Sequence, residues 1–305
     1  MAPPRREQVS ANHHDPVGSL LSQTRAVLRQ HGLAPQRLRG QNFLIDRRVR
    51  DRILTTAGVD ARHRVVEIGP GTGSLTEGLL ARGAAVLAVE VDRGLAALLA
   101  ERWGNRPGFQ LETADALRFD FAEALATERR PIRVVANIPY HITSPLILHL
   151  LSYGRVFEAL FLTVQKEVAV RMAAGPGDKS YGAFTLACQY RAAVQAVFRI
   201  PPTAFFPVPE VDSMLVRLDP RAHPPIAVSN PDTLILTVRT AFGVRRKTLR
   251  NALLQRWPGP AVDAALHAAD LDGRRRGETL SLDEFGRLSD ALPAGPACPV
   301  QGEDA

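Results

Sequence analysis

Arg64-Val65-Val66-Glu67-Ile68-Gly69-Pro70-Gly71-Thr72-Gly73-Ser74 is the stretch on which the fold turns. Five residues of strand character run into a turn with glycine at every second position, and a helix-like segment over 74–82 follows. Strand, glycine-rich turn and helix in that order let backbone approach a nucleotide-like ligand at the carboxyl end of a first strand. The register is G-x-G-x-G, and Ser74 stands where a dinucleotide fingerprint would need another glycine. A ligand without phosphates fits this turn better than an NAD pyrophosphate.

Working outward, strand patterns over 85–91, 109–113, 132–136 and 158–164 alternate with helical ones such as 93–102. Alternation at this spacing predicts βαβ units, a parallel sheet and helices on both faces. The acidic residues follow the same order. Glu90 ends the second strand, where a carboxylate meets ribose hydroxyls, and Asp115 follows the third, within reach of an adenine amine. Alone, each would be a cap or a solvated strand end. After consecutive strands beside a glycine turn, they describe a site for S-adenosyl-L-methionine, which has a ribose, an adenine and a zwitterionic methionine.

Further along, Val134-Val135-Ala136-Asn137-Ile138-Pro139-Tyr140-His141-Ile142-Thr143-Ser144-Pro145 ends a β-branched run in a stiff turn. Pro139 fixes its own φ and keeps Ile138 out of the α region. Such a turn can set the Asn137 amide oxygen, the Pro139 carbonyl and the Tyr140 ring around one small planar polar group. An exocyclic amine such as adenine N6 suits it, because two acceptors would pull the nitrogen towards a tetrahedral shape and localise its lone pair. His141 reads as a polar residue lining the turn.

Past residue 181, segments 195–200 and 213–218 read as two more strands around the Pro-rich loop 201–209, able to close the sheet as a hairpin. From about 230 the chain is helical in character. The predicted organisation is a disordered tail over 1–18, a catalytic domain over 19–225, a helical domain over 226–292 and a second tail over 293–305.

The 305 residues suffice for two domains. With 45% hydrophobic and 23% charged residues, the composition is that of a soluble protein, and no apolar run reaches the length of a membrane span. Cys188 and Cys298 suggest neither a disulfide framework nor a metal knuckle, and no metal is expected. The net charge of +7, mostly arginine, fits a polyanion partner. Arg245, Arg246, Lys247 and Arg250 cluster on a predicted helix opening the second domain. A second cluster is Arg274–Arg276, and a third, Arg47, Arg48, Arg50 and Arg52, is interleaved with Asp46 and Asp51.

Several of these pieces, in order, resemble the ribosomal RNA adenine dimethyltransferases, in particular the bacterial branch acting on small-subunit rRNA. They are Gly40–Leu44, Glu67–Gly73, Glu90–Asp92, Asp115-Ala116, Asn137–Tyr140, Lys179–Ala183, Phe205–Ser213 and Phe242–Asn251, spread over about residues 20–292. The resemblance implies a Rossmann-like class I S-adenosylmethionine-dependent methyltransferase sheet with a small α-helical C-terminal domain. It implies that Asn42 and Leu44 contact the cofactor from a segment laid over the site, with Gly69 at its methionine end. Glu90 would hold the ribose, Asp115 the adenine, and Asn137 would bridge cofactor and target amine. Tyr140 would stack on the target base and Phe205 on its other face, with Phe206 as rival.

The implied reaction is dimethylation of N6 on two adjacent adenines in the 3′-end hairpin loop of 16S rRNA. The partner would be the immature small ribosomal subunit, and the protein a cytoplasmic monomer with a role in subunit maturation. Related macrolide-resistance enzymes methylate one adenine of 23S rRNA and share the glycine turn and the Asn-Ile-Pro-Tyr motif. Val211-Asp212-Ser213 and Arg245–Asn251 look more like the small-subunit branch. A non-catalytic assembly factor on the same scaffold is the alternative from another class.

Overall fold

The computed structural model describes residues 18–36, 40–244 and 246–294. Both expected tails, and Cys298, lie essentially outside these residues. Nine strands alternate with helices: β1 (Phe43–Leu44), β2 (Arg64–Ile68), β3 (Ala85–Glu90), β4 (Phe109–Thr113), β5 (Ile132–Asn137), β6 (Ala159–Gln165), β7 (Ala192–Ile200), β8 (Phe205–Phe206) and β9 (Ser213–Pro220). The helices are α1 (Leu20–Gln30), α2 (Arg47–Thr56), α3 (Ser74–Ala81), α4 (Arg93–Trp103), α5 (Phe121–Ala124), α6 (Thr143–Ser152), α7 (Lys166–Ala173), α8 (Ala183–Arg191), α9 (Pro231–Phe242), α10 (Leu249–Leu253), α11 (Gly259–Ala268) and α12 (Leu282–Ala291).

Seven strands form one sheet in the order β4-β3-β2-β5-β6-β9-β7. Strands β2 to β6 are mutually parallel, and β9 lies antiparallel to both β6 and β7. The sheet is thus an α/β doubly wound one, closed at one edge by the β7–β9 hairpin, with β9 inserted inward. The expected hairpin is present, but β7 starts three residues earlier than its sequence pattern, because α8 runs directly into it at Ala192.

Alternate residues of each central strand serve opposite layers. Val66, Ile68, Leu87, Val89 and Val134 pack with α6 and Phe157, while Val65, Val86, Ala88 and Val135 pack with Leu54, Leu79 and Leu99. Burial on both faces is why the strands read as continuous apolar runs rather than alternating ones. The caps are equally local: Asp92 Oδ1 accepts from the backbone N–H of Gly94 and Leu95 at the start of α4.

Two further arrangements position the site. The short strand β1 pairs with β8 (Phe43 opposite Phe206, Leu44 opposite Phe205), which lays the N-terminal segment across the carboxyl ends of the sheet. Helices α9 to α12 share one apolar core with Tyr181, Leu186 and Tyr190 of the preceding segment. Tyr181 Oη donates to the Leu280 carbonyl at 2.8 Å, and Gly177 N to that of Glu278 at 2.8 Å. The helical segment is thereby seated on α8 and on the loop that precedes it.

Candidate active site

A cleft of about 270 Å³ opens at the carboxyl ends of β2 to β5, close to the lower end of small-ligand pockets, roughly 300 Å³. Its floor is the glycine turn. Gly69, Gly71 and Gly73 all have positive φ (62°, 60° and 84°), a region that costs a side-chain-bearing residue about 1–2 kcal/mol. Space forbids a side chain as well: a Cβ on Gly71 would lie 2.8 Å from the Phe43 ring, and one on Gly73 2.2 Å from that of Trp103. Arg102 braces the turn from behind, donating to the Thr72 carbonyl at 2.8 Å.

Three carboxylates line this cleft. Glu67, 1% exposed inside β2, accepts from Thr76 Oγ1 at 2.7 Å through Oε2, whereas its buried Oε1 has no partner among the described residues. Burial pushes its pKa up to about 8, against the Thr76 hydrogen bonds and with a smaller contribution from Glu90. Glu90 is also raised by burial, and each of its oxygens takes one backbone N–H, Oε1 from Asp92 (2.9 Å) and Oε2 from Gly71 (3.2 Å). The remaining lone pairs can accept from two hydroxyls. Asp115 is exposed; Oδ1 accepts from Leu117 N at 2.9 Å, which leaves Oδ2 for a ligand. Ser74 Oγ is a second buried polar atom without a partner among the described residues, on the same cleft.

The turn after β5 closes the opposite wall. Asn137 Nδ2 donates to the Asn42 carbonyl at 2.7 Å. Only the amide nitrogen can donate, so this bond settles the flip and leaves Oδ1 as the acceptor. Asn42 is held in turn by its own Nδ2 bond to the Gly40 carbonyl at 3.1 Å, and Leu44 completes this strap over the cleft. The Pro139 carbonyl accepts from Ile142 N (3.2 Å) and Thr143 Oγ1 (3.3 Å), so both its lone pairs are engaged by the turn itself. Among the described residues no donor reaches the Ile138 carbonyl, although Ile138 also lines the cleft. Tyr140 lines it too, half-buried, with its hydroxyl sharing a 2.9 Å hydrogen bond with Ser213 Oγ.

This geometry can be set beside known proteins. Residues 36–292 match the family described as ribosomal RNA adenine dimethylase. The chain belongs to that family. Among its relatives, a ribosomal RNA small subunit methyltransferase A of Pelotomaculum thermopropionicum is 44% identical, covering 89% of this chain and 96% of its own. One of Hahella chejuensis, with the same name, is 46% identical over 82% and 90%. Among solved structures, a dimethyladenosine transferase from Plasmodium falciparum superposes with a TM-score of 0.68 at 27% identity, covering 81% of this chain and 95% of that one. The 23S rRNA methyltransferase ErmE gives 0.62 at 29% identity, covering 82% and 99%.

As a ribosomal RNA adenine dimethylase, the protein is a methyltransferase with S-adenosylmethionine as methyl donor. The cleft fits that group: an unpartnered buried carboxylate oxygen suits an ammonium, two half-used carboxylates suit hydroxyls and an amine, and the side-chain-free turn leaves backbone exposed to it. The sequence by itself assigns Glu67 no role beyond its place in the Glu67–Gly73 motif. The available signal was an acidic residue inside an otherwise apolar buried strand. Ser213 is legible only as part of Val211-Asp212-Ser213, with no role attached, and the Ile138 carbonyl carries no signal of its own.

Other expected site residues lie elsewhere. Phe205 is 1% exposed in the core under Leu44 and Ala204, so it offers no face to a base. Phe206 points the other way, beside Leu28, Phe43 and Leu95, with the Arg25 guanidinium 5.0 Å above its ring. Neither phenylalanine lines the cleft. Arg246 and Lys247 do not sit on a helix: residues 246–248 form the loop between α9 and α10. Arg245 lies outside the described residues. Arg250, on α10, is clamped by Asp263 through bonds of 2.6 and 2.9 Å, which makes it a structural ion pair rather than a free cation. In the N-terminal cluster, Arg50 is buried against Asp51 and Glu77, and Arg52 lies 3.9 Å over the Phe198 ring.

Proposed function

We propose that this enzyme dimethylates N6 of two adjacent adenines in the 3′-end hairpin loop of 16S rRNA, acting as a cytoplasmic monomer on the immature small ribosomal subunit. The observation that carries the choice of subunit is the contrast in similarity. Identity is 42–46% with enzymes named for the small subunit and 29% with one named for 23S rRNA. S-adenosylmethionine supplies an electrophilic sulfonium methyl when bound. Asn42, Leu44 and Gly69 form the strap and floor that receive it, Glu90 accepts from the ribose, Asp115 from the adenine, and Glu67 Oε1 from the ammonium.

Catalysis on this reading is positional. The target base leaves its stack and rests on the Tyr140 ring. Its N6 hydrogens are received by Asn137 Oδ1 and by a main-chain carbonyl of the turn. The Ile138 carbonyl takes that part, because the Pro139 carbonyl is already engaged. Two acceptors on one amine turn its lone pair towards the methyl, and no side-chain base is needed, since the cationic product loses its proton to water.

rRNA phosphates dock on the polar cleft of about 660 Å³ between the 177–183 loop and the helical segment. Arg171, Lys179 and Lys247 line it, and no carboxylate among the described residues pairs with any of them. Arg246 adds a further exposed cation nearby. Mass spectrometry of rRNA from a strain lacking the protein tests the substrate. We expect both adjacent 16S dimethyladenosines to be absent. Their persistence, with loss of an adenine mark in 23S rRNA, would move the assignment to the macrolide-resistance branch, and an unchanged pattern in both would favour the non-catalytic alternative.

A further inference from the structure

We infer that Ser213 is a positioning residue for methyl transfer, acting by tethering the Tyr140 hydroxyl and so fixing the ring against which the target adenine is placed. The inference rests on the reading of Tyr140 as the stacking face. Tyr140 opens a single three-residue 3-10 turn, Tyr140–Ile142, and its half-buried side chain lines the cleft. A tyrosine ring there can swing about two side-chain torsions. Its hydroxyl is nonetheless held 2.9 Å from Ser213 Oγ, a residue 73 positions away in sequence and 0% exposed.

Ser213 is itself immobile. As the first residue of β9 it pairs with Gln165 of β6 on one side and with Ile200 of β7 on the other. The tether therefore runs from a cleft-lining side chain to the interior of the sheet. The backbone of the turn is confined from the opposite side, where a Cβ on Gly40 would lie 3.3 Å from both Tyr140 N and His141 Nδ1. Burial raises the Tyr140 hydroxyl pKa, which keeps the phenol neutral and able to donate. A ring pinned at its far end and at its backbone has lost its orientational freedom before the RNA arrives, and that loss is otherwise charged to the binding step or the transition state.

The test is a double-variant cycle with S213A, Y140F and S213A/Y140F. Turnover on saturating small-subunit RNA and affinity for S-adenosylmethionine are measured on variants whose melting profile is native. Each single variant is expected to lower turnover about five- to tenfold, the effect of one hydrogen bond on an aligned group, with cofactor affinity unchanged. The double variant should be no slower than the slower single one. A 2-aminopurine at the target position supplies a readout that a merely structural role would not move. It should be strongly quenched by the wild type and markedly less by S213A and Y140F. Wild-type turnover and quenching in S213A, or losses that multiply in the double variant, would overturn the tether. Y140A separates this outcome from failure of the stacking reading: if Y140A retains turnover, the ring does not hold the base, whereas if Y140A is inactive and S213A is unaffected, only the tether falls.

Discussion

Glu67 shows how much one buried atom can carry. Its carboxyl has a folded pKa of about 8 against an ordinary 4.5, so between those values the folded state binds more protons than the unfolded one. Stability of the cofactor-free protein is therefore greatest at low pH with respect to this group. It falls as pH rises towards 8, by at most about 1.4 kcal/mol per pH unit. We expect Glu67→Gln to remove this group's share of the slope, seen as a shallower fall in melting temperature from pH 5 to 8, while weakening cofactor binding in calorimetry. A wild-type melting curve that already ignores pH in this range would show that the carboxyl is not held neutral. At Tyr140 the expectation has a different shape. Removing a stacking face forfeits about 1–3 kcal/mol per base, so Tyr140→Ala should depress methyl transfer by roughly ten- to a hundredfold yet leave cofactor affinity near wild type. Unchanged turnover at saturating RNA would take Tyr140 out of the base site.

At the level of elements, the glycine turn and the strap of β1 depend on one another. Phe43 of β1 packs where a Gly71 side chain would be, and Asn42, just before β1, receives the Asn137 amide. Gly71→Ala must therefore either strain its backbone, at about 1–2 kcal/mol, or push Phe43 and the strap aside. We expect a lower melting temperature together with at least a tenfold loss of cofactor affinity. Loss of stability with full affinity would mean that the strap does not cover the cofactor. The β5 turn works by a similar division of labour: Pro139 stiffens it and spends its carbonyl within it, while no donor among the described residues reaches the preceding carbonyl.

For the molecule as a whole, the question is where the positive charge is free. Within the net charge of +7, the sequence holds three basic clusters, of which Arg245, Arg246, Lys247 and Arg250 form the expected RNA contact. In the fold several of those arginines are committed: Arg250 to Asp263, Arg274 to Asp272, Arg275 to Glu284, and Arg50 to Asp51 and Glu77. Lys247, Lys179 and Arg171 are left around the cleft beside the 177–183 loop, with Arg246 exposed next to Lys247. Reversing Arg246 and Lys247 to glutamate should weaken RNA binding and flatten its salt dependence, by about 0.7–0.9 in log–log slope for each phosphate that is no longer neutralised. Arg250→Glu should act mainly on stability, through repulsion with Asp263. An unaltered salt slope in a folded Arg246/Lys247 variant would place the docking surface elsewhere.

The order of strands and helices, the glycine turn and the acids at successive strand ends were legible in the residues themselves. Each depends on contacts within a few positions: a repeat of two or 3.6 sets which face is apolar, and a positive φ selects glycine. β9 could be read as a strand, but not as inserted between β6 and β7. Asn137 and Tyr140 could be named, but not the partners that aim them, since Asn42 and Ser213 lie 95 and 73 residues away. Phe205 and Phe206 are neighbours of one residue type, and only pairing of β8 with β1 decides which ring enters the core. Arg246 and Arg250 are equally basic as letters, and only Asp263, brought up by α11, separates a free cation from a bound one. Local chemistry is written in the chain because the backbone imposes it at short range. Which side chains are buried, paired or left free depends on surfaces that meet only when distant segments pack together.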